Sequence, residues 1–211
     1  MLKTLAPFDF SDLAAVQAAF AECPVLPLIQ GWQSEPTGLP ATAQLGWHGG
    51  RVWALGSLTD RDVFNDATDD NQNTWERGDV FEVFVGRVGH DAYTEAHVTP
   101  TGVRLHLRFA DRTTIARVRG GTLDGDSLKR DPAEIIGRAW RTETGWCGLL
   151  GVPVEATPGE TIRVSVCRYD AHRDAEPDVA STSNHTACDF HRPDDWPQYV
   201  APTTGRNTWF P

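Results

Sequence analysis

Residues 73–86 read NTWERGDVFEVFVG, and the segment from Val80 to Val85 has the composition of a β-strand. Every residue of that segment except Glu82 is valine or phenylalanine, which favours a strand buried on both faces. Because side chains alternate along a strand, Glu82 and Phe84 share one face. A carboxylate on a buried face needs a partner or a pocket, since burying an isolated charge costs too much free energy. Glu82 therefore serves either an internal ion pair or a binding site.

The rest of the chain alternates short apolar segments with turns rich in glycine, proline, asparagine and aspartate. This pattern predicts strands over 25–30, 43–48, 51–58, 79–86, 92–99, 102–109, 113–119, 134–141, 145–152 and 161–169. The Pro-Thr-Gly turn at 100–102 predicts a hairpin, and Ser11 is placed to cap a short helix ending near Glu22. The chain is therefore predicted to be all-β, an antiparallel β-sandwich (jelly-roll or immunoglobulin-like) with a short N-terminal helix.

The length and the pattern together predict the domain organisation. A chain of 211 residues fits one domain. We expect residues 1–24 to form an N-terminal helical extension and residues 170–211 a long irregular closing segment, because regular patterning ends after Tyr169. So long an irregular segment in a compact domain is more often functional than idle.

The charge balance restricts the partners. A formal net charge of −10 argues against nucleic acid or an anionic membrane as partner, because both require clustered lysine and arginine. The first twelve residues contain Lys3 but no long apolar run after it, so they do not resemble a secretory signal. The sequence therefore predicts an acidic soluble protein, cytoplasmic as the chain is given, or extracellular or periplasmic if a signal is missing from it.

The four cysteines form no CxxC pair and are expected to be small buried residues. A disulfide between two of Cys147, Cys167 and Cys188 is the alternative if the protein is exported. His185, Cys188 and His191 have a spacing like that of zinc ligands, but the pattern offers no fourth ligand. Some domains of similar sandwich fold bind haem through a methionine and a second axial ligand. The only methionine here is Met1, so methionine ligation inside the fold is not available, although ligation by two histidines remains formally possible.

Five segments, in order over roughly residues 43–200, resemble the family 9 carbohydrate-binding modules (CBM9). They are RVWALGSLTDRDVFND (51–66), TWERGDVFEVFVG (74–86), AYTEAHVTPTGVRLHL (92–107), WRTETGWCGLLGVPVEATPGETIRVSVCRYDA (140–171) and FHRPDDWPQYV (190–200). The resemblance implies a β-sandwich that binds the end of a sugar chain between two aromatic rings. It implies a role in carbohydrate catabolism in association with a glycoside hydrolase. The domain itself would not be catalytic.

The resemblance also assigns carbohydrate-binding residues. Trp75 is one wall of the sugar slot and Glu82 binds sugar hydroxyls at its floor. His97 and Arg168 lie near the slot by position alone. The second wall departs from the family pattern, because Phe190 and His191 stand where the family offers a tryptophan. The partner predicted is a mono- or oligosaccharide.

Structural alternatives remain open for the two leading residues. Trp75 lies in a polar loop, where an amphipathic ring suits stacking on a sugar, but it could instead pack that loop onto the sandwich edge. Glu82 could form an internal salt bridge with an arginine of a neighbouring strand, for which the candidates are Arg104, Arg108 and Arg168.

No cofactor is predicted apart from a possible structural calcium ion. Asp66, Asp69 and Asp70 offer oxygen ligands, but their spacing does not match a calcium loop such as an EF-hand, and a solvated loop is the alternative.

Two other classes of function compete with sugar binding. One is an interaction module that keeps the fold and has lost the sugar. The other is an enzyme, whose sign would be two or more ionisable groups converging in one cleft. Asp79 and Glu82 do not form a glycosidase pair, because they are predicted to point to opposite faces of the strand and to lie roughly 10 Å apart along it.

Overall fold

A computed structural model describes residues 1–33 and 38–203, and within them the chain folds into two β-sheets packed face to face. The strands are β1 (Lys3–Thr4), β2 (Val25–Pro27), β3 (Ala41–His48), β4 (Arg51–Thr59), β5 (Val80–Arg87), β6 (Tyr93–Val98), β7 (Arg104–Phe109), β8 (Ile136–Thr142), β9 (Gly145–Pro153), β10 (Thr161–Asp170), β11 (Asp178–Ser181) and β12 (Gln198–Val200), and the helices are α1 (Leu13–Phe20) and α2 (Thr114–Arg119). The predicted β-sandwich with a short N-terminal helix is confirmed. In these residues, no helix combines the length and apolar character needed to cross a membrane.

Each sheet has six strands. The first sheet has the order β1-β3-β4-β9-β8, with β2 also pairing with β3. The second sheet has the order β11-β10-β5-β6-β7, with β12 also pairing with β10. All pairings between these strands are antiparallel except that of β1 with β3, which is parallel. Strand β5, which contains Glu82, therefore lies in the middle of the second sheet.

The predicted strands correspond to β2 through β10, with one error. Within the predicted strand 113–119, residues Thr114–Arg119 form helix α2. The Asp111 carboxylate accepts hydrogen bonds from the backbone N–H and hydroxyl of Thr113, and Gly121, with φ of 69°, follows the helix. These turn-forming residues at both ends outweigh the β-branched residues between them.

Smaller differences concern the two ends of the chain. Helix α1 is capped by Asp12, whose carboxylate accepts from the Ala14 N–H, and not by Ser11. The closing segment contains the short strands β11 and β12, which the sequence patterning did not predict. Its last residues, 204–211, lie outside the described part.

The core between the sheets explains the apolar half of β5. Phe81, Val83 and Val85 pack there against residues of the first sheet. Gly56 on β4 and Gly148 on β9 leave room for the Phe81 ring, because a Cβ atom at Gly56 would lie 2.4 Å from it and one at Gly148 2.9 Å. The alternation predicted for this strand is confirmed, and Glu82 faces the other way.

The outer face of the second sheet is also covered, so β5 is buried on both sides. Helix α2 and the closing segment contribute Ile115, Val118, Phe190 and Trp196 to a second apolar cluster on this face. The cover is incomplete near Glu82, where a cavity occupies the gap.

Candidate carbohydrate-binding cavity

A cavity of about 570 Å³ lies on the outer face of the second sheet and is called the aromatic cavity here. Its floor includes Glu82 and Phe84 of β5 and Glu95 of β6. Its walls come from the turn before β5, from α2 and from the closing segment. The wall residues include Trp75, Glu76, Arg119, Asp189, Phe190 and His191. Four predicted carbohydrate-binding residues, Trp75, Glu82, Phe190 and His191, therefore line one cavity.

Trp75 lies in the 3₁₀ turn Thr74–Glu76, directly before β5, and is half-buried. Its ring meets the His97 ring edge to face, with centroids 5.9 Å apart. The tryptophan thus rests on a buried imidazole and still lines the cavity. This combines the loop-packing alternative with the binding hypothesis, because one part of the ring is packed and another is open.

Glu82 is buried, with 3% of its surface exposed. None of the three candidate arginines pairs with it, because Arg104 binds Asp70, Arg108 binds Thr94 and Arg168 binds aspartates elsewhere. Among the described residues, the basic side chain within 4 Å of the Glu82 carboxylate is His97, whose Nε2 lies 3.9 Å from Glu82 Oε1.

Burial raises the pKa of Glu82 to about 7, an effect opposed by His97 and reinforced by Glu95. At neutral pH this side chain is therefore available both as a hydroxyl acceptor and, when protonated, as a donor.

Glu95 is the residue that the sequence analysis missed. It is 5% exposed, and its Oε1 lies 2.7 Å from His97 Nε2. Its Oε2 has no hydrogen-bond partner in the described structure and lies 3.7 Å from His191 Nε2. Burial raises the pKa of Glu95 as well.

The hairpin register offered a signal for Glu95. Glu82 pairs with His97 across β5 and β6, so that alternation places Glu95, two residues before His97, on the same face. The strands on both sides of the turn at residues 88–91 (VGHD) were predicted, but the register in which they pair was not worked out.

His97 is fully buried beneath the cavity, where it links the turn before β5 to Glu95 on the cavity floor. Its Nδ1 lies 2.8 Å from the Thr74 hydroxyl, and its Nε2 contacts Glu95. Burial lowers the pKa of His97, so the neutral imidazole is favoured. We call Glu82, Glu95 and His97 the floor cluster.

The second wall is formed by the closing segment. His191 meets Phe84 edge to face at 5.2 Å, and its Nδ1 lies 2.9 Å from the Tyr93 hydroxyl. Phe190 packs against Phe84 at 6.2 Å, and its carbonyl accepts a hydrogen bond from the Trp196 indole. Trp196 is buried, so the half-buried Phe190 is the aromatic ring presented on this side.

An ion pair attaches this wall to helix α2. The Arg119 guanidinium donates to both carboxylate oxygens of Asp189, at 3.0 and 3.1 Å. The other Asp189 contact is with the His191 backbone N–H, at 3.0 Å. The helix that the sequence analysis read as a strand thus positions the residues of the second wall.

Arg168 does not reach the cavity. It pairs with Phe81 in the register of β10 and β5, whereas Cys167 pairs with Glu82. Its side chain therefore points to the opposite face of the sheet from Glu82. There it lies 2.8 Å from Asp170 and 3.5 Å from Asp60, so its location does not support the predicted role at the sugar slot.

The buried carboxylates around Arg168 are called the aspartate cluster and comprise Asp60, Asp79 and Asp170. Both oxygens of Asp79 accept backbone hydrogen bonds, from Phe64 at 2.7 Å and from Ala171 at 2.9 Å. Burial raises the pKa of Asp79 to about 7 and that of Asp170 to about 6.

Three groups of described residues bring metal-ligating atoms within 4.8 Å of one another: the floor cluster, the aspartate cluster, and Asp170 with His172 and Asp178. The proposed calcium residues form no such group. Asp70 binds Arg104, Asp69 accepts from the Thr68 hydroxyl, and Asp66 lies 3.9 Å from Arg173. The geometry of this loop therefore does not support calcium binding by these three residues together.

The structure also bears on the predicted disulfide alternative and on the zinc-like spacing of His185, Cys188 and His191. All four cysteines are free thiols, with Cys188 exposed and the other three buried. His185 lies 3.6 Å from Asp195, whereas His191 lies beside Glu95, so the two histidines have different carboxylate neighbours.

Comparison with known proteins identifies the fold. No protein family and no curated protein matches the sequence. A proposed carbohydrate-binding protein from Bacteroides uniformis has a similar structure, with a TM-score of 0.74 at 15% identity over 95% of this chain and 97% of that one. A CBM9 module from Caldicellulosiruptor kristjanssonii in complex with cellotriose has a TM-score of 0.68 at 10% identity, over 100% of this chain and 96% of that one. Its complex with glucose also gives 0.68 at 10%, over 99% and 97%. The chain therefore has a CBM9-like fold, as the sequence resemblance implied.

Proposed function

We propose that this protein binds carbohydrate in the aromatic cavity, with the end of a sugar chain held between Trp75 and Phe190. The observation that carries the proposal is the convergence of Trp75, Glu82, Phe190 and His191 on one cavity. Aromatic rings stack on the C–H faces of a sugar, and carboxylates accept from its hydroxyls. The structural neighbours that contain cellotriose and glucose support this class of ligand.

In this proposal Glu82 is the principal hydroxyl-binding group, because the described structure gives its carboxylate no arginine or lysine partner. Phe190 offers a smaller ring than tryptophan and no indole donor, so we expect a weak site. Affinities in the micromolar to millimolar range correspond to about 4–8 kcal/mol. The resemblance to CBM9 further suggests that the protein acts beside a glycoside hydrolase.

The test is calorimetric titration with glucose, cellotriose and a panel of other mono- and disaccharides. We expect one sugar class to bind, and Trp75→Ala to weaken that binding by at least about tenfold, because central aromatic contacts commonly dominate binding free energy. The matched control is Trp140→Ala, which removes a half-buried tryptophan that packs beneath helix α1 on the first sheet. Absence of binding by folded wild-type protein at millimolar sugar would favour an interaction module instead.

A second candidate function follows from the floor cluster. Glu82 and Glu95 face one cavity with carboxylate oxygens within 4.8 Å, and retaining glycosidases separate their two carboxyl groups by about 5–5.5 Å. Convergence of ionisable groups was the sign expected of an enzyme. Turnover of p-nitrophenyl glycosides that is lost in both Glu82→Gln and Glu95→Gln would establish catalysis, whereas binding without turnover would leave the sugar-binding function alone.

A further inference from the structure

No lysine or arginine of the described residues lies within ion-pair distance of the floor cluster. Its two carboxylates, Glu82 and Glu95, are 3% and 5% exposed, and within the described residues neither forms an ion pair with lysine or arginine. Their ionic neighbours are the imidazoles of His97 and His191. Two carboxylates held together in a poorly solvated site require a proton or a cation to offset their repulsion.

Both imidazoles are oriented by a hydroxyl group. Thr74 holds Nδ1 of His97 at 2.8 Å, and Tyr93 holds Nδ1 of His191 at 2.9 Å. This leaves Nε2 of each ring directed toward Glu95, at 2.7 Å for His97 and 3.7 Å for His191. Metal-ligating histidines are commonly fixed in this way, with one ring nitrogen held by an outer hydrogen bond and the other on the ion.

An unpartnered atom points independently to a ligand. Oε2 of Glu95 has no hydrogen-bond partner in the described structure, although the side chain is only 6% exposed and lines the cavity. Buried carboxylate oxygens are rarely left without a partner. A bound ion would supply the missing contact.

We propose that a divalent transition-metal ion, with zinc as the best match, binds at the floor of the aromatic cavity through His97, His191, Glu95 and Glu82. Two imidazole nitrogens and two carboxylate oxygens suit zinc, whereas calcium and magnesium prefer oxygen ligands alone.

Ligand atoms of His97, Glu95 and Glu82 lie within 4.8 Å of one another, whereas His191 lies outside that group and has to rotate from its position beside Glu95 to complete the site. Bonds of about 2.0–2.1 Å in a tetrahedral site place neighbouring ligand atoms roughly 3.3 Å apart. The separations from His97 Nε2 to Glu95 and Glu82 are 2.7 and 3.9 Å, and His191 lies 3.7 Å from Glu95. Small side-chain rotations would even these out, with the Thr74 hydroxyl accepting a hydrogen bond from the Nδ1–H of His97.

The experiment is a titration of the full chain, stripped with a chelator, with zinc alone and without sugar, so that its result does not depend on the proposed sugar binding. Calorimetry should show one equivalent of zinc bound, and cobalt in its place should give the visible absorption of a nitrogen- and oxygen-ligated ion. Glu95→Gln, which keeps the size of the side chain, should weaken zinc binding by at least 10–100-fold. His191→Gln, in the closing segment, should also weaken it.

The matched control is His172→Gln, which removes the histidine of the half-exposed group with Asp170 and Asp178. Zinc affinity unchanged in this variant supports the proposal. The proposal is overturned if wild-type protein binds no zinc at micromolar concentration, or if zinc binding survives both floor variants. Loss of binding in His172→Gln alone would overturn it as well. If Glu95→Gln does not fold by circular dichroism, the result for His191→Gln decides.

Discussion

The floor cluster and the aspartate cluster are both groups of buried carboxylates near strand β5, but their charges are compensated differently. The aspartate cluster contains the Arg168 guanidinium, which lies 2.8 Å from Asp170 and 3.5 Å from Asp60. In the floor cluster the one basic group is the His97 imidazole, and the two carboxylates line a cavity. Removing one partner of a buried ion pair is strongly destabilising because it leaves an unpaired charge, whereas a buried carboxylate at a cavity without such a partner is available to a ligand.

The comparison answers the question that Glu82 raised in the sequence. Strand β5 places Phe81 on the face of the sheet that carries Arg168 and Glu82 on the face of the cavity. Two adjacent residues therefore lie in different environments, one structural and one a candidate binding site.

The largest effect is expected for Arg168→Met. Removing the guanidinium leaves Asp60 and Asp170 buried without their cation, which should lower the free energy of unfolding by about 3–5 kcal/mol. Urea denaturation measures this. The control is Arg87→Met, whose partner Glu160 lies 3.5 Å away in a partly exposed pair, and which should cost less than about 1 kcal/mol. Similar losses in the two variants would show that Arg168 does not have the role assigned to it.

The next effect is a pH dependence of stability that Asp79 causes. Burial raises its pKa from 3.8 to about 7 in the folded chain, so the folded form keeps a proton that the unfolded form has already lost. Stability is therefore expected to fall as the pH rises from about 4 to about 7, by roughly 2–4 kcal/mol from this residue.

Asp79→Asn isolates this contribution, because asparagine does not titrate. Urea denaturation across the same pH range should give a smaller decrease in stability for the variant than for wild-type protein. An equal slope in both proteins would mean that Asp79 is ionised in the folded state, as its two backbone hydrogen bonds would favour.

A smaller effect is expected for sugar affinity in Glu82→Gln. Losing a charged acceptor at the cavity floor should weaken binding by about 10–100-fold, with little change in the free energy of unfolding. The control is Glu76→Gln, because Glu76 lines the same cavity but is exposed. If both variants bind sugar as wild type does, Glu82 does not contact the sugar.

Much of this organisation was predictable from the sequence because it depends on local patterns. Alternation along Val80–Val85 correctly separated the core face from the Glu82 face, and the turn at 100–102 correctly indicated a hairpin. The segment 113–119 was assigned wrongly, because its β-branched residues favour a strand while the flanking Asp111 and Gly121 favour a helix. Patterning in short segments does not decide between such opposing preferences.

The candidate site was predictable where nearby positions in the sequence or the family resemblance indicated a residue, and the resemblance supplied Phe190 and His191, which also line the cavity. Trp75 and Glu82 are close along the chain, and both line the cavity. Glu95 depends on the register of β5 with β6, and Arg168 on its register with β10, which local composition does not specify. The ion pair between Arg119 and Asp189 joins residues 70 positions apart, so no local signal announces it.

The smallest effect is expected at Asp66, an exposed aspartate six residues from the buried Asp60. Its pair with Arg173 spans 3.9 Å between side chains that are 67% and 61% exposed, so Asp66→Asn should change the free energy of unfolding by less than about 0.5 kcal/mol. Asp60→Asn should cost considerably more, because Asp60 is buried beside Arg168. Millimolar calcium should leave the difference in melting temperature between wild type and Asp66→Asn unchanged. A calcium-dependent stabilisation that disappears in Asp66→Asn would instead restore this loop as a calcium site, since only a ligand residue would couple that substitution to the ion.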